Sequence, residues 1–214
     1  VVDIVDGTVT MGKAQLTVSL ADVQRTYGKE ALNAGYAYGV KETGLVNGDT
    51  NYGDIVLSDA RTDGALDTTP NDLVITKDAG GDYTWTTTAS LNEALSKNYE
   101  LAEVVAGDSD IVQANLTIKL NNVSMTYGQA ESELTYGHVV DANDKLVNGD
   151  KLSDVVTFGY NNTAYVDGSS TVTKDVSGSP YVLEEENVVA GSKYGNYVVD
   201  IVDGTVTMGK AQLT

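Results

Sequence analysis

Apolar and polar residues alternate along 16–21, where Leu16, Val18 and Leu20 are interleaved with Thr17, Ser19 and Ala21. The same alternation returns along 116–121, with Leu116, Ile118 and Leu120 set against Thr117, Lys119 and Asn121. A period of two puts every second side chain on one face, so both stretches predict half-buried strands. Tyr27-Gly28 and Tyr127-Gly128 end these runs, and the helix-tolerant residues at 29–32 and 129–132 predict a short helical turn. Asn47-Gly48-Asp49 and Asn148-Gly149-Asp150 predict turns with positive φ, because Gly and Asn reach that region at little cost. Further strands are expected at 54–58 and 154–158, and again at 83–88 and from 181, where Tyr and Thr suit a strand with one wet face. Ser90-x-x-Glu93 has capping-box spacing and predicts one helical turn. Asp203-Gly204, between 198–202 and 205–208, predicts a hairpin. Ala106-Gly107 stands at that place with one extra residue before it, which predicts a bulge or a longer turn.

The alternation is part of a repeat. Residues 1–17 recur letter for letter at 198–214, an offset of 198 − 1 = 197. Within that period, Ala14 to Tyr27-Gly28 corresponds to Ala114 to Tyr127-Gly128, and Leu45-Val46-Asn47-Gly48-Asp49 to Leu146-Val147-Asn148-Gly149-Asp150. Tyr83 and Tyr99 correspond to Tyr181 and Tyr197. The chain therefore divides into 1–13, the truncated terminal hairpin of a preceding module; 14–113 and 114–210, two homologous modules; and 211–214, the start of the next repeat. Modules of this length can each bury a core. The joints carry no Pro, Ser or Gly spacer, so a stiff linkage is expected. In the second copy of the repeat Val199, Ile201, Val206 and Met208 are expected to be buried. Their equivalents Val2, Ile4, Val9 and Met11 have lost their partners and are expected to pack on the end of the first module or on a neighbouring molecule.

Composition narrows the function classes. Thirty-one acidic against thirteen basic side chains give a formal charge of −18, which disfavours nucleic acid and anionic membrane surfaces as partners. No apolar run is long enough for membrane insertion of this stretch, and the absence of cysteine removes disulfides and thiolate metal sites.

The order Leu-Thr, Thr-Tyr-Gly, Leu-Val-Asn-Gly-Asp, Asn-Tyr, Asp-Gly-Thr-Val-Thr and Lys-Ala-x-Leu-Thr resembles that of bacterial MBG domains of the YGX type. The second module matches throughout, and the first matches at 16–28, 45–49 and Asn98-Tyr99 but departs at Ala106-Gly107-Asp108. The resemblance implies mostly β modules in tandem within large secreted adhesins of the filamentous-haemagglutinin or another cell-surface type, where they act as stalk repeats. It carries no catalytic residues.

Candidate chemistry is sparse. His138 is the sole histidine, which leaves no partner for a histidine-based triad, and no phosphate-binding, dinucleotide or nucleophile-elbow glycine motif is present. The repeated tyrosines read as structural, whereas the unrepeated Tyr36, Tyr38, Tyr52 and Trp85 are candidates for stacking on a glycan. Asp108 with Asp110, Asp141 with Asp144, and Glu184-Glu185-Glu186 cluster oxygens, but at no calcium-loop spacing. No metal or other cofactor is expected; calcium is the one to test, and folding is expected not to require it. The expected fold is mostly β: two tandem small β modules, β-sandwich or β-grasp-like, in an elongated array with at most short helical turns. The expected function is that of a non-catalytic stalk or spacer repeat of an extracellular bacterial surface adhesin, its partners the neighbouring repeats. The alternative is that the repeats themselves bind a host or matrix glycan, mucin or protein receptor.

Overall fold

The computed structural model describes residues 2–3, 5–29, 41–49, 55–66, 74–166 and 170–213. Their contacts divide them into two compact units. The first comprises Val1–Arg25, Glu30–Lys77 and Gly81–Ile111, and the second comprises Thr26–Lys29, Asp78–Gly80 and Val112–Thr214. Strands dominate, and the helices are single turns.

The N-terminal strands are β1 (Ala14–Ser19), β2 (Val23–Thr26), β3 (Lys41–Thr43), β4 (Ile55–Asp63), β5 (Thr84–Leu91), β6 (Tyr99–Val105) and β7 (Gly107–Val112). They form two sheets, ordered β3-β1-β6 and β2-β7-β5-β4. The C-terminal strands are β8 (Ala114–Leu120), β9 (Val123–Thr126), β10 (His138–Val140), β11 (Val156–Asn161), β12 (Tyr181–Ala190), β13 (Tyr197–Val202) and β14 (Gly204–Gly209). Their sheets are β10-β8-β13 and β11-β12-β14-β9, the same order with each strand replaced by its sequence counterpart. Leu116, Ile118 and Leu120 are buried in β8, as are Leu16, Val18 and Leu20 in and just after β1, so the alternating face is the core face.

The hairpin expected at Asp203-Gly204 does not form. β13 runs parallel to β8 in one sheet over Tyr197↔Ala114 to Val202↔Lys119, while β14 runs parallel to β9 in the other sheet. One strand thus passes from sheet to sheet, as does the strand 114–126, and the two cross side by side. The glycine is needed for close approach rather than for a turn, since a Cβ on Gly204 would stand 2.8 Å from the Asn121 carbonyl oxygen. At Gly107 a Cβ would stand 2.5 Å from the Ala21 oxygen, so Ala106-Gly107 marks the same crossing. The extra residue of the first module is a bulge: Leu16 pairs with Leu101 and Thr17 with Glu103, skipping Ala102, where β13 keeps even register.

Asn148-Gly149 takes φ of 56° and 75°, and Asn47-Gly48 takes 61° and 77°, as expected of these turns. The turn at 93–96, α1, is capped by Asn92, whose Oδ1 accepts from the Leu95 N–H at 2.9 Å, and not by Ser90. Glu131–Glu133 forms a 3-10 turn near the predicted place, and its counterpart at 30–32 lies outside the described residues. A helical turn, α2 (Leu152–Val155), takes the start of the strand expected at 154–158, which begins at Val156.

In the second unit Leu120, Met125, Tyr165, Val166, Val172, Leu183, Val206 and Met208 form one core cluster. Full burial of such side chains stabilises by about 1.5–3 kcal/mol each. The identical N-terminal copy of β14 and its flank behaves differently. Residues 5–13 form no strand, and Val2, Val5, Val9 and Met11 are 88–90 % exposed. The expected packing on the first module is therefore absent; Ile4 lies outside the described residues. In the C-terminal copy Val206 and Met208 are buried, with Val199 and Ile201 half-buried.

Candidate functional site

The residues shared by the two modules build a tyrosine clasp. In the second unit the Asn148-Gly149 turn, closed by Asp150 N–H to Val147 O at 3.0 Å, folds the 146–150 loop back on β13. There the Tyr197 hydroxyl donates to Asp150 Oδ2 at 2.8 Å and accepts from the Val147 N–H at 3.1 Å. In the first unit Tyr99 repeats this, donating to Asp49 Oδ2 at 2.6 Å and accepting from the Val46 N–H at 3.0 Å. Burial, with the hydrogen bond to Asp150 adding to it, pushes the Tyr197 phenol well above its ordinary range. The hydrogen bond to Asp49 raises that of Tyr99. Tyr27, a member of the second unit, packs edge-on against Tyr197 at 5.6 Å and donates to Asp150 at 3.0 Å. Its sequence counterpart Tyr127, also expected to be structural, is 48 % exposed.

Of the aromatic candidates, Tyr36, Tyr38 and Tyr52 lie outside the described residues. Trp85 is a core residue at 1 % exposure, its indole N–H donating to the Ala21 carbonyl at 2.8 Å, so its ring offers no face to a ligand. Leu183 holds the equivalent position beside Gly204.

The acidic candidates fall apart in the same way. Asp108 and Asp110 are exposed, alternating with the buried Gly107, Ser109 and Ile111 of β7. Asp141 pairs with Lys119 at 2.6 Å, which with that hydrogen bond holds its carboxyl below the usual range, and it also accepts from the Asn143 N–H at 2.9 Å. The Asp144 carbonyl accepts from the Thr117 N–H at 3.0 Å. Glu184, Glu185 and Glu186 lie within β12, opposite Asn161, Tyr160 and Gly159 of β11. Among the described residues no group of three His, Cys, Asp or Glu side chains is placed to hold a metal ion. His138 is an exposed strand residue whose Nδ1 lies 2.8 Å from the Tyr160 hydroxyl.

Two features escape the sequence reading. Arg25 and Asp63 form a buried ion pair at 2.6 Å, joined by Ser109, whose hydroxyl accepts from Arg25 and donates to Asp63 at 2.8 Å. Their signal is Arg25 on the buried face of β2, where the second module has Met125. The other is a cleft of about 510 Å³ lined by Asn121, Asn122, Ser124, Gln129, Glu133 and Tyr136, among others.

These features define a class: a two-sheet β unit laced by a strand that crosses between sheets and is pinned by a tyrosine on an Asn-Gly-Asp loop. The segment 116–207 matches the MBG domain (YGX type) family model, so the second unit is built around an MBG domain. No curated protein and no solved structure matches the chain.

Proposed function

We propose that the chain is a non-catalytic stalk or spacer region of a bacterial cell-surface adhesin, whose repeats hold an adhesive region away from the surface. The observation that carries this reading is the repetition: two units with one strand order, and a 17-residue identity between 1–17 and 198–214. Units that fold locally set length by number, which is what a spacer needs. The motif residues favour it too, because Tyr99, Tyr197, Asp49 and Asp150 bond one another within their units. The net charge of −18 keeps such repeats soluble and apart. In the intact surface protein, replacing this region with unrelated β repeats of equal length should preserve cell adhesion, whereas deleting it should lose adhesion without weakening receptor binding by the isolated adhesive region. Loss of adhesion in the length-matched replacement contradicts the spacer role.

The cleft beside Tyr136 favours a second reading, in which the repeats bind a host or matrix glycan. Its amides, hydroxyls and single carboxylate suit sugar hydroxyls, with an aromatic ring at hand. A glycan array on the purified chain separates the two: specific binding lost in Glu133→Ala supports the second reading, and a blank array supports the first.

A further inference from the structure

We propose that Arg25, Asp63 and Ser109 form a polar key that decides which crossing strand closes the first unit: it accepts 99–112 and rejects 197–209, so that homologous modules of one chain do not exchange strands. Each unit is closed by one of these strands, seated in the same strand order. Most of what seats them does not tell them apart. Tyr99 and Tyr197 make the same bonds to their Asn-Gly-Asp loops. The bulge at Ala102 absorbs the extra residue of the first strand, so Gly107 and Gly204 reach equivalent crossings beside the Ala21 and Asn121 oxygens. Tethering does not suffice either, because the rival strand is tethered to the same chain.

The strands differ where they meet the core. Counted from the crossing glycines, the next core-facing residue is Ser109 in β7 and Val206 in β14. The Ser109 hydroxyl is fully buried; it accepts from Arg25 and donates to Asp63 Oδ1 at 2.8 Å, while Arg25 donates to Asp63 Oδ2 at 2.6 Å. Val206 is as deeply buried, but in an apolar cluster with Met125, the residue that stands in the place of Arg25. Seated in the first unit, 197–209 would set the Val206 isopropyl group against Arg25 and Asp63 and remove the hydroxyl that both bond, at side chains only 1 % and 3 % exposed. Seated in the second, 99–112 would bury the Ser109 hydroxyl among Leu120, Met125 and Leu183. Each seat therefore disfavours the other's strand. This inference concerns strand choice during folding and stands whether or not the repeats serve as a spacer.

The test uses the full chain, which has no cysteine, so that introduced thiols report pairing without background. Thr84 lies opposite Asp108 across the antiparallel β5–β7 pair, and Thr205 holds the place of Asp108 in β14. Residues directly opposed across such a pair are within disulfide reach. The chain carrying Thr84→Cys, Asp108→Cys and Thr205→Cys is unfolded in urea and refolded in a glutathione buffer. The 84–108 and 84–205 disulfides, within chains and between them, are then quantified by mass spectrometry. The 84–108 bond should dominate. Adding Val206→Ser gives the rival strand the missing hydroxyl and should raise the share of the 84–205 bond about tenfold, the weight of one buried hydrogen bond to a charged group. Adding Val206→Ala instead loosens β14 in its own seat without supplying a hydroxyl, and should leave that share unchanged. The proposal is overturned if the 84–205 bond dominates in the parent chain or if Val206→Ser does not raise it. It is equally overturned if Val206→Ala raises it as much as Val206→Ser does.

Discussion

Tyr197 connects the loop motif to the terminal strand through one hydroxyl, and its removal should be felt throughout the second unit. Tyr197→Phe keeps the packed ring but leaves the Asp150 carboxylate and the Val147 N–H without that partner. A loss of about 1–2 kcal/mol is expected in urea unfolding of the second unit, and Tyr99→Phe should destabilise the first unit in the same direction. The pH dependence follows from the sign of the shift. The folded-state phenol is raised above its unfolded value near 10, so its contribution is complete below about pH 10 and is lost as pH rises toward the folded value. Alkaline titration at 295 nm should therefore show a tyrosinate component that appears only as the second unit unfolds, and a wild type whose tyrosines all ionise together near pH 10 contradicts it. The buried Arg25–Asp63 pair makes the opposite kind of demand. Asp63→Ala strands a buried guanidinium, and the first unit should lose about 3–5 kcal/mol in the same assay.

At the scale of elements, the crossing strand gives one tripeptide, Asp-Gly-Thr, in two environments. A Cβ at Gly204 meets the Asn121 oxygen at 2.8 Å and the Leu120 oxygen at 3.1 Å, both on backbone that cannot swing aside, whereas a Cβ at Gly7 meets nothing within 4 Å. Gly204→Ala should cost about 1–3 kcal/mol and Gly7→Ala nothing measurable in thermal melts. Equal effects would place both copies in one environment. The same crossing marks where the sequence stopped being legible. Alternation located β1 and β8, because a half-buried strand must repeat every second residue, and Tyr- and Thr-rich composition located β5 and β12. Asn47-Gly48 and Asn148-Gly149 were legible because positive φ restricts the choice of residue. Asp203-Gly204 misled because a hairpin and a sheet-to-sheet crossing place the same residue between the same two apolar runs; only the partner of each run distinguishes them, and partners are non-local. Trp85 misled for a related reason. Uniqueness in the sequence pointed to a ligand, whereas the ring fills the space that the smaller Leu183 fills in the other unit.

For the whole molecule, charge and repetition set the remaining expectations. The excess of acidic residues invites calcium, yet Asp141 is engaged by Lys119 and the described acidic side chains form no three-ligand group. EDTA should leave both melting transitions in place; a fall of more than about 10 °C, on the order of 2 kcal/mol for domains of this size, would make the acidic clusters sites. The N-terminal segment poses the sharper question, because it repeats a strand that elsewhere completes a unit. In the first unit the positions parallel to β1 and beside β5 are already held by β6 and β7, so residues 1–13 have no vacant seat there. Their exposed valines contribute no burial, and a strand without partners is not stable in water. Deleting residues 1–12 should then leave the melting of both units unchanged within about 1 kcal/mol, as for changes outside a core. Loss of the first transition on deletion would instead make the segment an integral strand of the first unit, and the module boundaries at Ala14 and Ala114 would have to be redrawn by a circular shift.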